Sequence, residues 1–314
     1  MNLEKIKNLI NKLLIGNDIA VAKLISLVEN SEYNEDIIRL LSPYLGNAYV
    51  IGITGAPGVG KSTLADKIVK FLRKSDYKIG IIAVDPTSPF SGGAILGDRI
   101  RLQQLASDPG VFIRSMASRG HLGGISTATS DAIKILDAFG CDYIFVETMG
   151  VGQSEIEIVK NVDTTVLVLI PGMGDEIQAL KAGIMEIADI FVVNKADRDG
   201  VERTILEIEM LQNLGEPKKF PAEIQKVIAR DNIGIEELCK KINIHKKYLE
   251  ESNNFSKKRK YRLEFELKQI VHNKLLEHTH KYIGDNFNQL VDEIYSKKKD
   301  IYSVANKIVK NILI

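Results

Sequence analysis

The densest chemistry in the chain lies between Gly55 and Thr63, where GAPGVGKST matches G-x-x-x-x-G-K-[ST] between an apolar run and a helical pattern. Gly55, Gly58 and Gly60 allow the backbone of this loop, with Ala56, Pro57 and Val59 between them, to turn its N–H groups toward phosphate oxygens. The N-terminus of the following helix adds a favourable dipole. Lys61 brings a compact positive charge to the β- and γ-phosphates, and the Ser62 hydroxyl is a candidate Mg²⁺ ligand. The motif specifies a nucleotide-phosphate site without specifying the base.

Carboxylates recur at the ends of later apolar runs. Asp85 closes KIGIIAVD, near enough to a phosphate loop to give Mg²⁺ one of the few protein oxygens it takes. Asp98 follows the glycine-containing stretch PTSPFSGGAILGD, and its spacing fits a helix N-cap equally well. Glu147 ends YIFVE, where an acid can hold Mg²⁺ through water, and Gly150 three residues on could sense the γ-phosphate. Asn194, Lys195 and Asp197, in VVNKAD, supply the base selector. An Asp carboxylate there accepts hydrogen bonds from the ring N–H and exocyclic amine of guanine, which adenine lacks. Lys195 can lay its stem along the base, Asn194 can tie this loop to the phosphate loop, and the backbone N–H of Ala229 can reach the guanine oxygen. Ile228 stands where a serine is usual.

These residues need strands to present them. Seven short apolar runs (YVIGITG, KIGIIAVD, GVFIRSM, CDYIFVET, TTVLVLIPG, DIFVVNKAD, QKVIA) alternate with turns and helical segments, predicting an α/β fold with a mostly parallel sheet. Ligands of such sheets bind at the carboxyl ends of the strands, where the polar and glycine residues fall. Residues 1–45 read as an N-terminal helical segment, residues 46–250 as the nucleotide-binding domain and residues 251–314 as a helical extension. Ser252 to Lys260 has the composition of a linker. In the extension, Leu263, Leu267, Ile270, Val271 and Leu275 form one apolar face, and Ile301, Val304, Ala305, Ile308, Val309 and Ile312 another. Such faces pack within a monomer or form a dimer interface.

The 314 residues carry 42 basic and 41 acidic side chains, a formal charge of +1 that recruits neither nucleic acid nor an anionic membrane. Lys297, Lys298 and Lys299 accordingly read as a solvated face. Cys141 and Cys239 form no paired motif and read as buried thiols of a reducing compartment. The N-terminus shows no leader pattern and no run reaches the roughly 18 apolar residues of a membrane span, so the expected location is cytoplasmic. His245, His272, His278 and His280 lack metal-ligand spacing and are expected at the surface.

GAPGVGKST, VDPTSPFSGGAILGD, FIRSMASRGHLGG, ETMGVGQSE, PGMGDEIQALKAG and NKAD together resemble the successive motifs of the methylmalonyl-CoA mutase-associated GTPases, the MeaB/ArgK type, over nearly the whole chain. The resemblance implies a GTP-hydrolysing, dimeric chaperone of an adenosylcobalamin-dependent acyl-CoA mutase, gating cofactor loading and reactivating the enzyme. It implies that Asp85, Asp98 and Glu147 share Mg²⁺ with Ser62. It makes the segment around Asp175, Gln178 and Lys181 a further switch that positions Lys181 for catalysis, beside Lys61 and Glu147. Gln178 and Lys181 fit an exposed helix face as well. Arg119 and His121 are switch residues by resemblance alone. A nickel-insertion GTPase shares this architecture but needs soft or imidazole ligands, and an older family name suggests a transport-system protein kinase.

Overall fold

A computed structural model describes residues 2–85, 105–117, 127–148, 161–173, 188–214, 220–283 and 287–312. The chain divides into two compact units, Met1–Lys258 and Arg259–Ile314.

The first unit is organised by seven parallel strands: β1 (Tyr49–Thr54), β2 (Ile79–Asp85), β3 (Val111–Ala117), β4 (Tyr143–Glu147), β5 (Thr164–Leu169), β6 (Ile190–Asn194) and β7 (Glu223–Val227). They coincide with the seven apolar runs and lie in the order β3-β2-β4-β1-β5-β6-β7. β1, β4, β5 and β6 are buried throughout, as near-continuous apolar runs must be when helices cover both faces of a parallel sheet. β3 and β7 carry the charged residues Arg114, Glu223 and Lys226, which blunt the sheet's two edges. β1 sits between β4 and β5, so the chain reverses its direction of winding beside the loop that leaves β1.

Alternation along the strands feeds two cores. Val50, Ile82, Ile144 and Val146 face α1 (Leu3–Leu14), α2 (Asp18–Glu29), α3 (Asn34–Leu41) and α5 (Thr127–Ala138), with Leu24, Ile25, Val28 and Ile37 fully buried among them. Ile51, Ile53, Ile81 and Phe145 face α4 (Lys61–Arg73) and α7 (Ile235–Glu251), packing with Leu64, Ile68, Leu238 and Ile242. α6 (Val201–Leu214) follows β6. Polar contacts fix the first layer. Glu29 of α2 accepts a 2.6 Å bond from Arg114 of β3, and Asp137 of α5 accepts the N–H groups of Gly46, Asn47 and Ala48 as the chain enters β1.

Two sequence expectations are overturned. Ser252 to Lys260 is not a linker: α8 (Asn254–Ile283) begins within it, because Phe255 stacks on Tyr49 at 6.2 Å and Lys258 donates to the Asp163 carbonyl and the Asp189 carboxylate. His245 is not a surface group but 2% exposed on α7. Its Nδ1 lies 2.7 Å from Thr164 Oγ1 and its Nε2 3.4 Å from Asp189 Oδ1, while Tyr49 OH bonds the same Thr164 oxygen. One assignment satisfies every group: Nε2–H donates to Asp189, Thr164 donates to Nδ1, and Tyr49 donates to Thr164. Burial favours this neutral imidazole by holding its pKa below the usual histidine value, and burial likewise keeps the Tyr49 phenol protonated.

Both cysteines are buried and free, with their thiols pushed up to about 12 by desolvation. The second unit contains the rest of α8, α9 (Phe287–Tyr295) and α10 (Ile301–Ile312). Leu263, Leu267, Val271 and Leu275 of α8 and Ile301 and Val309 of α10 are exposed, whereas Val304 is buried. Among the described residues no helix is long and apolar enough to cross a membrane.

Candidate nucleotide-binding site

β1 ends at Thr54 and the chain turns through Gly55–Gly60 into α4 at Lys61. Two glycines are obligatory. Gly55 has φ +139°, and a Cβ there would stand 2.2 Å from the carbonyl oxygen of Val168 on β5. Gly60 caps α4 at φ +97°, and a Cβ there would stand 2.5 Å from Asn194 Nδ2. An L side chain meets both a disfavoured backbone and a collision at either position. The Val59 side chain is buried and roots the loop, whereas Pro57 and Gly58 are exposed. The loop therefore presents backbone outward, at the end of a helix whose first N–H groups have no carbonyl one turn back.

Lys61 folds its ammonium onto this loop, donating to the Gly55 carbonyl at 2.8 Å and the Ala56 carbonyl at 3.0 Å. Ser62 donates to Glu147 Oε1 at 2.6 Å, with both residues buried, and Thr63 follows in the first turn of α4. The Ser62–Glu147 contact follows from strand order, since β4 pairs with β1 and Glu147 lies opposite Ile53. Next to Glu147, Thr148 donates to Thr54 at 3.0 Å, joining the ends of the two strands. A hydroxyl and a carboxylate in contact are hard oxygen donors of the kind Mg²⁺ uses when phosphate oxygens and water complete its shell. Among the described residues no group of three or more His, Cys, Asp or Glu could hold a metal by itself. Asp85 ends β2, but its side chain lies outside the described residues, as do Asp98, Gly150, Asp175, Gln178, Lys181, Arg119 and His121.

The base-selector loop leaves β6 two strands from β1, and Asn194 spans the gap. Its carboxamide, 3% exposed, donates through Nδ2 to the Val59 carbonyl at 2.8 Å and accepts the Ala229 N–H through Oδ1 at 3.1 Å. One side chain thus fixes the phosphate loop, the β6 loop and the 3₁₀ turn Ala229–Asp231 after β7 relative to one another. Lys195 sits at φ +55°, rare for a residue with a Cβ, and its ammonium donates to the Gly58 carbonyl at 2.7 Å. The Ala196 N–H bonds the Val227 carbonyl and the Arg198 N–H bonds the Lys195 carbonyl, so the turn projects the Asp197 carboxylate outward. The sequence reading missed Arg230, whose Nη2 lies 3.7 Å from Asp197 Oδ2. Its place directly after Ala229 was the available signal.

A family model described as "Methylmalonyl Co-A mutase-associated GTPase MeaB" matches residues 21–283. A Pyrococcus horikoshii protein named as a GTPase is 50% identical over 316 residues, covering 99% of each chain. GTPase ArgK of Escherichia coli is 40% identical over 195 residues, covering 60% of this chain and 59% of its own. The mouse protein named methylmalonic aciduria type A homolog, mitochondrial, is 32% identical over 255 residues, covering 78% of this chain and 61% of its own. A crystal structure titled LAO/AO transport system kinase superposes with a TM-score of 0.74 at 26% identity, covering 100% of this chain and 99% of the other.

Proposed function

As a member of the methylmalonyl-CoA mutase-associated GTPase family, the chain is a GTPase, and we propose that it uses GTP to chaperone an adenosylcobalamin-dependent acyl-CoA mutase. In this reading, nucleotide state gates cofactor loading and permits reactivation of the mutase. The observation that carries the nucleotide half is the three-way tether at Asn194, which holds the phosphate loop and both base-contacting loops as one site. The mutase half is supported by the family's name and by the name of the mouse relative.

GTP would enter with its phosphates against Gly55–Thr63. The Lys61 ammonium exchanges two backbone carbonyls for β- and γ-phosphate oxygens, a stronger charge-assisted pairing. Asp197 accepts the two guanine donors and Lys195 lies along the base; the Ala229 N–H, which bonds Asn194 Oδ1 at 3.1 Å, would have to exchange that partner to serve the guanine oxygen. Ser62 and Glu147, with Asp85 and Asp98 as the family resemblance implies, would hold Mg²⁺. When bound, that ion supplies charge neutralisation on the phosphate oxygens. Hydrolysis is in-line attack of water on the γ-phosphate, promoted by positioning and charge. None of the described motif residues is an evident general base, so intrinsic turnover is slow and a partner accelerates it, with Lys181 the residue proposed to be positioned. The exposed apolar faces of α8 and α10 suit a homodimer interface.

Steady-state GTP hydrolysis measured with and without the cobalamin-dependent mutase tests the proposal. Acceleration by the mutase is expected. An unchanged rate, with no copurification of a mutase in GTP, overturns the chaperone reading. The transport-system-kinase title of the superposed structure motivates one further arm: labelled γ-phosphate should pass to water, and its transfer to a protein would favour the kinase reading.

A further inference from the structure

We infer that Arg230 is a positioning residue for guanine selection, braced by Asp231 so that its guanidinium holds the plane of the Asp197 carboxylate. The inference rests on Asp197 being the base selector. Arg230 occupies the 3₁₀ turn Ala229–Asp231, and this turn has a closed frame. Ile228 and Ile233 exchange both backbone hydrogen bonds at 3.1 and 3.2 Å, and the Asp231 N–H bonds the Ile228 carbonyl at 3.0 Å. Asn194 holds the turn from within, through the Ala229 N–H. The backbone that carries Arg230 is therefore fixed relative to the β6 loop that carries Asp197.

The side chain is paired as well. Its Nε and Nη2 fork the two oxygens of Asp231, both at 2.9 Å, while the same Nη2 stands 3.7 Å from Asp197 Oδ2. The pairing holds the Asp231 carboxyl below the usual carboxylate range, with Lys67 of α4 adding to the effect, so the brace is ionised at neutral pH. Arg230 is 76% exposed at its side chain and Asp197 42%, so the pair contributes little to folding. Its consequence is orientational. The final torsion of an Asp side chain is soft and roughly two-fold. Recognition of guanine needs both carboxylate oxygens in the plane of the base at once. A cation anchored beside Oδ2 narrows that torsion to one orientation, which is the one proposed to meet guanine. Inosine lacks the exocyclic amine and uses one of the two oxygens less, so it demands less of that plane.

Equilibrium binding of GDP and IDP to the full chain, for wild type and for Arg230→Gln, Arg230→Lys and Asp231→Asn, tests this. Both positions are exposed, so these variants keep the fold, and Arg230→Lys, which keeps the charge without the fork, controls for charge alone. In Arg230→Gln and Asp231→Asn, the ratio of IDP to GDP dissociation constants should fall by about two- to fivefold, through weaker GDP binding. Arg230→Lys should fall between them and wild type. An equal loss for both nucleotides, or no loss, overturns the inference. Asp197→Asn separates it from its premise. If that variant keeps guanine preference, the base-selector reading fails. If it loses preference while Arg230→Gln retains it, the role of Arg230 alone fails.

Discussion

At the carboxyl ends of β1, β4 and β6, Lys61 and Lys195 bond loop carbonyls and Ser62 bonds Glu147. At the amino ends of β1 and β5, Thr164 bonds both Tyr49 and His245, among Tyr143, Phe255 and the Lys246 ammonium. In the first arrangement the two ammonium groups bond neutral carbonyl oxygens that an anion can replace at little loss, and the Ser62–Glu147 pair offers oxygens suited to a cation. The second pairs each donor with an acceptor inside a desolvated aromatic setting, where exchanging any partner is costly. One sheet thus keeps polar groups ready for a ligand at one end and uses polar groups as structure at the other.

The largest effect is expected at the base selector. Asp197→Asn should shift preference from GTP toward xanthosine triphosphate by about 10³-fold or more, read as a ratio of dissociation constants, and retained GTP selectivity would remove Asp197 from that role. Lys61→Ala should lower the hydrolysis rate by about 10²–10³-fold, with a much smaller effect on thermal unfolding, because the Gly55 and Ala56 carbonyls that its ammonium bonds belong to the phosphate loop and not to the apolar core. A large drop in melting temperature would mean that this end is structural too. His245→Gln should do the reverse, costing about 1–3 kcal/mol in denaturant unfolding with GDP affinity preserved.

The smallest effect is a pH dependence. Desolvation lowers the folded pKa of His245 against the pull of Asp189 and Asp163, and Lys258 lowers it further. The unfolded chain then binds a proton that the folded chain refuses, so stability rises with pH through that interval and falls on acidification below about pH 6.5. Unfolding free energies across this range should slope in wild type, by at most about 1.4 kcal/mol per pH unit from this group, and flatten in His245→Gln. A slope that survives the substitution would assign the dependence elsewhere.

The seven strands were legible because central parallel strands are continuous apolar runs, and the phosphate loop because its glycines, lysine and serine are adjacent in sequence. Arg230 was passed over because its relation to Asp197 joins two loops 33 residues apart, and neither loop shows it alone. Ser252 to Lys260 looked like a linker because its lysines dominate the composition, although Phe255 and Lys258 each have a specific partner on the sheet. His245 carries no mark of burial in a helix rich in lysine, and its place follows only from the packing of α7 over β5.

The sequence by itself determined the α/β class, the order of the motifs and the kind of chemistry each can do, because local periodicity and residue type suffice for these. The fold in three dimensions was needed to show that the tie Asn194 makes to the phosphate loop extends to the turn after β7, that Ser62 meets Glu147, and that His245 belongs to the core. Each of those depends on which strands become neighbours and how helices lie across them. These are non-local contacts fixed by burying both faces of the sheet together, and no window of sequence contains them.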